Sequence, residues 1–89
     1  MNPEIIEKTE QISDTVYKRS VILFNDDVNN FDHVEDCIMK ICFKSRKEAE
    51  KIAQEAHTKG RAVCYVASLE ECETVAEKLT EQGLTVAIQ

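Results

Sequence analysis

Residues 45–67 read Ser45-Arg46-Lys47-Glu48-Ala49-Glu50-Lys51-Ile52-Ala53-Gln54-Glu55-Ala56-His57-Thr58-Lys59-Gly60-Arg61-Ala62-Val63-Cys64-Tyr65-Val66-Ala67. Ser45 with Glu48 three positions later is a capping box, in which a hydroxyl and a carboxylate satisfy the free N–H groups of a helix start. Ala49, Ile52, Ala53 and Ala56 then recur at helical spacing and mark one inner face. Gly60 offers the left-handed stop. The β-branched and aromatic residues centred on Val63, Tyr65 and Val66 make Arg61 to Ala67 a strand. A helix that runs through one glycine into a strand points to an α+β layer arrangement, one small sheet packed against helices.

The flanks repeat this logic. Upstream, Ser20 to Phe24 is a β-rich run that reads as a strand buried on at least one face. Val34, Cys37, Ile38, Ile41 and Cys42 follow at helical spacing, giving an amphipathic helix from about Phe31 to Phe43 with Asn30 or Asn29 as its cap. Downstream, Ser68-Leu69-Glu70-Glu71 is a second capping box, and Leu69, Cys72, Val75, Ala76 and Leu79 form the stripe of a third helix that Gly83 ends. Leu84, Val86 and Ile88 alternate with Thr85 and Ala87 as a last strand. The order β-α-α-β-α-β predicts a small α+β domain with a three-stranded antiparallel sheet packed against helices, spanning residues 18–89. Residues 1–17 carry scattered Ile5, Ile6, Ile12 and Val16 among polar residues, with no stripe wide enough to pack a helix, and read as a flexible amino-terminal arm.

Bulk properties narrow the function. Eighty-nine residues leave little room for a buried catalytic cavity. A net charge of −6 works against unassisted binding to a phosphate backbone and suits a cationic partner. No apolar run approaches membrane-spanning length, and the first residues lack a signal-peptide pattern, so a soluble cytoplasmic protein is expected. Cys37, Cys42, Cys64 and Cys72 form no Cys-x-x-Cys pair and have apolar neighbours; reduced core thiols are expected, and no zinc site or cofactor.

The chemistry concentrates in two polar stretches. Asn25, Asp26, Asp27, Asn29 and Asn30 follow the first strand, and His57 stands near the end of the second helix. A carboxylate, an amide oxygen and a neutral imidazole can together accept the three hydrogens of an ammonium group. The constellation suggests a receptor for a peptide's free amino terminus. Asp26 and Asp27 could alternatively cap a loop, and His57 could face its helix's last carbonyls. His33 falls on the outer side of its helix and reads as a solvated residue.

Strand plus Asn25-Asp26-Asp27, the following Val28-Asn29-Asn30-Phe31-Asp32-His33-Val34, the segment His57-Thr58-Lys59-Gly60-Arg61-Ala62-Val63 and Glu70-Glu71-Cys72-Glu73-Thr74 resemble the ClpS family. The resemblance spans roughly Val21 to Ile88 and implies a fold shared with the carboxyl-terminal domain of the ribosomal stalk protein. It also implies an adaptor, not an enzyme, that delivers N-degron peptides and proteins beginning with Leu, Phe, Tyr or Trp to a Clp AAA+ protease. By that resemblance Asn25, Asp27 and His57 would contact the α-amine, Asp26 would support the charge or a bridging water, and Asn29 would touch the peptide backbone. Phe31, Val34, Ala53 and Ala56 would line or gate an apolar pocket, although each could also be ordinary core. Glu70 would dock on the amino-terminal domain of a ClpA- or ClpC-like chaperone, and the adaptor is expected to be a monomer. The chain departs from the commoner Tyr-Thr-Pro-Met after Asn-Asp-Asp, carrying Val28-Asn29-Asn30-Phe31 instead, and has Val75 where the family usually has lysine. Two rivals from other classes are a metal-dependent enzyme built on Asp26, Asp27 and His57, and a structural interaction domain without amino-terminal recognition.

Overall fold

The computed structural model describes residues 18–89; the arm expected over 1–17 lies outside them. The chain runs through β1 (Lys18–Phe24), α1 (Phe31–Ile41), α2 (Arg46–Lys59), β2 (Arg61–Ser68), α3 (Leu69–Glu81) and β3 (Val86–Ile88). This is the expected β-α-α-β-α-β order. The sheet has the order β2-β1-β3, with both neighbours antiparallel to β1. β1 takes the centre, and its apolar run Val21-Ile22-Leu23 is buried on both faces.

The three helices pack on one side of this sheet. Val21 and Leu23 meet Ile38 of α1, Ala49 and Ala56 of α2, and Cys72, Val75 and Leu79 of α3 in a single core. The alanines of α2 let that helix approach closely, since a small side chain sets a short helix-to-sheet distance. All four cysteines are buried and unpaired. The Cys42 thiol beside Cys64, and burial after it, hold Cys64 protonated far above the ordinary thiol range. Buried and unpaired, the four side chains pack as small apolar groups, as their sequence neighbours suggested.

One irregularity shapes β2. Val21 pairs with Tyr65 but Ile22 pairs with Val63, so Cys64 is an extra residue that bulges from the ladder. Ala62 and Cys64 face the core before the bulge, and Tyr65 and Ala67 face it afterwards. Val63 and Val66 are left on the outer face, about half exposed.

The helix ends follow the chemistry of their caps, with two differences from expectation. Asn30, one of the two residues expected there, caps α1, accepting from the His33 N–H at 2.9 Å. α1 ends at Ile41, short of Phe43, because Cys42 caps it and Phe43 turns left-handed at φ 59°. The Ser45–Glu48 capping box of α2 is complete, and Gly60 closes that helix at φ 90°. At α3 the box closes on one side only: Ser68 Oγ accepts from the Glu71 N–H at 3.3 Å, while the Glu71 carboxylate accepts from the Tyr65 hydroxyl at 3.4 Å.

The two left-handed positions after α1 and α2 make opposite predictions. Phe43 is 77 % exposed, so Phe43→Gly removes little packing and relieves a conformation disfavoured by roughly 1–2 kcal/mol in residues with a Cβ. After the extra unfolded-state entropy of glycine, a net gain of about 0.5–1 kcal/mol is expected. At Gly60 a Cβ would meet nothing within 4 Å, so Gly60→Ala should cost roughly 1–2 kcal/mol through the backbone alone. Urea denaturation of both variants checks the signs.

Candidate functional site

The end of β1 enters a polar loop that the structure fixes at several points. The Asn25 N–H donates to the Gly60 carbonyl at 3.0 Å, so the loop begins against the turn that ends α2. That bond brings residues from two distant segments, Asn25 and His57, to one rim. Asp26 organises the next turn: its Oδ1 accepts from the Val28 N–H at 3.0 Å and the Asn29 N–H at 2.8 Å. The Asn29 amide forks one N–H across both Asp26 oxygens, at 3.2 and 3.0 Å, and donates the other to the Gly83 carbonyl at 2.9 Å. The Asn29 backbone bond, more than any other contact, holds the Asp26 carboxyl below the usual aspartate range.

Beneath this loop lies a cavity of about 50 Å³. Its polar rim is Asn25, Asp26, Asn29 and His57, and its apolar lining includes Phe31, Val34, Ala53 and Ala56. Eight of the nine substrate-site residues expected from the sequence therefore share one concavity. Asp27, the ninth, is exposed and stands outside the lining. Leu23 and Phe24 also line the cavity and were not among the expected residues. The signal for them was available, because a strand that enters the site must place its last residues against it.

Ala53 and Ala56 are each under 5 % exposed and serve both roles open to them. Their inner faces complete the core, and their small side chains leave the space that forms the cavity floor. Phe31 is 41 % exposed and stands edge-on to the His57 ring, centroids 5.3 Å apart at 69°. This edge-to-face contact lets the electron-poor rim of one ring meet the face of the other.

His33 departs from its expected place. It is half-buried, not solvated, and its Nε2 lies 2.8 Å from the Gln82 carbonyl just past the end of α3. The 3.6-residue period puts it off the apolar stripe of α1, yet that side of the helix meets the turn after α3.

Glu70 is exposed in the first turn of α3 and borders a surface groove with Thr74, Lys78 and Phe43. Val75, at the position usually lysine, points into the core at 5 % exposure. Among the described residues no group of three or more His, Cys, Asp or Glu side chains could hold a metal ion, so the metal-enzyme rival has no ligand set there. Among them, too, no helix is long and apolar enough to cross a membrane.

The family model described as ATP-dependent Clp protease adaptor protein ClpS matches residues 14–87. The ATP-dependent Clp protease adapter protein ClpS of Synechocystis sp. is 34% identical over 80 residues, covering 89% of this chain and 82% of that protein. Its counterpart in Thermosynechococcus vestitus is 38% identical over 68 residues, covering 75% of this chain and 72% of that protein. Among solved structures, Agrobacterium tumefaciens ClpS2 bound to L-phenylalaninamide superposes with a TM-score of 0.78 at 24% identity, covering 82% of this chain and 95% of that one.

The Asp26 turn carries a pH prediction. Its folded pKa is depressed, so the stabilisation it gives is present above the unfolded value and is lost as pH falls through the lower folded value. Amide shifts of Val28 and Asn29 should titrate with a midpoint below the ordinary aspartate value of 3.8, and that step should vanish in Asp26→Asn. A midpoint at or above 3.8 would show that the carboxylate does not bind the turn.

Proposed function

We propose that this chain, which belongs to the ClpS family of adaptors of the ATP-dependent Clp protease, receives the free amino terminus of substrates beginning with Phe, Tyr, Trp or Leu and delivers them to a Clp AAA+ unfoldase. The observation that carries the reading is a single concavity with acceptors at its rim and hydrocarbon beneath. An α-ammonium offers three hydrogens and one positive charge, and each rim side chain carries an oxygen or nitrogen able to accept from it. The Asn25 side-chain oxygen and a neutral His57 nitrogen accept directly. Asp27, exposed one residue from the rim, adds negative charge, and Asp26 supports it from within the turn. Asn29 meets the first peptide group through its side-chain oxygen, since both of its amide hydrogens are already engaged.

The side chain of the first residue occupies the apolar part. The cavity of about 50 Å³ is smaller than the roughly 150 Å³ that accommodates benzene in a dry protein interior. An aromatic residue therefore enters only as Phe31 turns away from His57, and Phe31 acts as a gate. Ala53 and Ala56 make a wide floor once it opens, favouring Phe, Tyr and Trp over Leu through the larger apolar area they bury. The relative from A. tumefaciens supports this assignment by analogy, because L-phenylalaninamide carries a free α-amine and a benzyl side chain. Glu70, with Thr74 and Lys78 exposed beside it, supplies the polar face that docks on the amino-terminal domain of a ClpA- or ClpC-like chaperone, the adaptor acting as a monomer.

Two comparisons test the reading. Acetylating a peptide that begins with Phe removes a cation and donors whose bonds are worth about 1.5–3 kcal/mol each, so affinity should fall roughly tenfold to several hundredfold. Fluorescence anisotropy with free and acetylated copies measures it, and equal affinities would remove the amine receptor. Ala53→Met should weaken binding of peptides beginning with Trp more than those beginning with Leu. Phe31→Ala should relax the exclusion of Ile and Val, whose branching beside the backbone collides with the gate. An unchanged ranking of Trp and Leu in Ala53→Met would assign Ala53 to the core alone.

A further inference from the structure

The rim sits on a loop, and a loop of polar residues holds a geometry only if something outside it does the holding. Within the loop, Asp26 closes its own turn. Besides the Asn25 bond to Gly60 at its start, two side-chain contacts from the loop and the first turn of α1 reach one place, the turn after α3. The Asn29 amide donates to the Gly83 carbonyl at 2.9 Å, and His33 Nε2 lies 2.8 Å from the Gln82 carbonyl. Gln82 caps α3 and Gly83 follows it at φ 86°. Carbonyls beyond a helix end have no partner inside the helix, and the macrodipole makes that end attractive to donors. The substrate loop and the first turn of α1 supply those donors from across the molecule.

We propose that His33 is a positioning residue for the amine-binding loop. With Asn29 it clasps the segment Asp26–His33 to the turn after α3, and so fixes where the rim acceptors point. A carbonyl can only accept, which requires the proton on Nε2 and fixes the tautomer. The buried Cys37 thiol lies 3.7 Å from the same nitrogen and backs the ring from the core side. The His33 backbone N–H meanwhile donates to the Asn30 side-chain oxygen, so one residue ties the helix cap to its neighbour helix. His33 touches no part of the cavity itself and acts entirely through the loop. The inference rests on the reading of the loop as an amine receptor, and it extends that reading to a residue in no direct contact with substrate.

The experiment compares His33→Ala, His33→Phe and His33→Gln with the unaltered protein. Glutamine places an amide N–H at about the reach of Nε2, whereas phenylalanine fills the volume without a donor. Affinity for a labelled peptide beginning with Phe should fall about three- to tenfold in His33→Ala and His33→Phe, the range expected for one lost hydrogen bond, and recover to within about twofold in His33→Gln. In the peptide-free protein, long-range proton–nitrogen spectra should show His33 protonated at Nε2. The Val28 and Asn29 amides should lose rigidity in heteronuclear relaxation for the first two variants and regain it in the third.

A lower melting temperature with unchanged affinity and unchanged loop relaxation would overturn the proposal and leave His33 a packing residue. So would a His33→Gln variant no better than His33→Phe. If the unaltered protein binds no free-amine peptide, the amine-receptor reading fails, and the relaxation of residues 26–29 still decides whether His33 holds the loop.

Discussion

Pairing of β1 on both of its edges is the constraint from which the rest follows. Val21 and Leu23, each at most 2 % exposed, face the helices, while β2 and β3 pair with the two edges of the strand. The first strand in sequence must therefore wait for the last, β3, to complete its ladder, with Ile22 opposite Ala87 and Leu23 opposite Val86. Closing so long a loop costs chain entropy that local contacts do not repay. A central strand is also the stiffest part of a small sheet. The residues that leave its end, Asn25 and Asp26, start from a fixed point.

Most of the architecture was legible because its signals are local. Ser45 with Glu48, Gly60 after Lys59, and the alternation of Leu84, Val86 and Ile88 each specify a conformation from a few adjacent residues; α2 falls where these place it, and β3 forms over Val86–Ile88, without Leu84 and Thr85. The differences arise where a side chain has two possible partners. Glu71 belongs to a capping pattern by spacing, but the Tyr65 hydroxyl, six positions back on the neighbouring strand, takes its carboxylate. Phe43 lies off the apolar stripe of α1, and the chain turns left-handed there before α2 opens at Arg46, whose guanidinium reaches Glu35 and Asp36 at 3.5 Å each.

The cavity was legible for a different reason. Its rim and floor come from residue types that make poor sense elsewhere: paired amides and carboxylates after an apolar strand, and alanines on the inner face of a helix. The sequence could not reveal the partners those groups choose. Asp26 and Asn29 read as ligand contacts, and the structure spends much of their hydrogen-bonding capacity on the loop itself. His33 looked idle on a helical wheel because a wheel carries no information about the turn 49 residues away that it meets. Long-range contacts of single polar side chains are the least encoded layer of a fold. They are also the layer that sets the aim of a binding site.

The bulge at Cys64 gives β2 two different parities. Core-facing positions are even up to residue 64 and odd from residue 65 onward, so the strand reads in sequence as an unbroken apolar run from Ala62 to Ala67. A map of tolerated substitutions along β2 carries that phase jump. Polar residues are accepted at Val63 and Val66, three apart, a spacing that neither an unbroken strand nor its mirror register produces. Loss of the bulged residue leaves every later side chain on its own face: without Cys64, Val63 and Tyr65 become neighbours and the alternation runs unbroken, with Val66 outward and Ala67 inward as before.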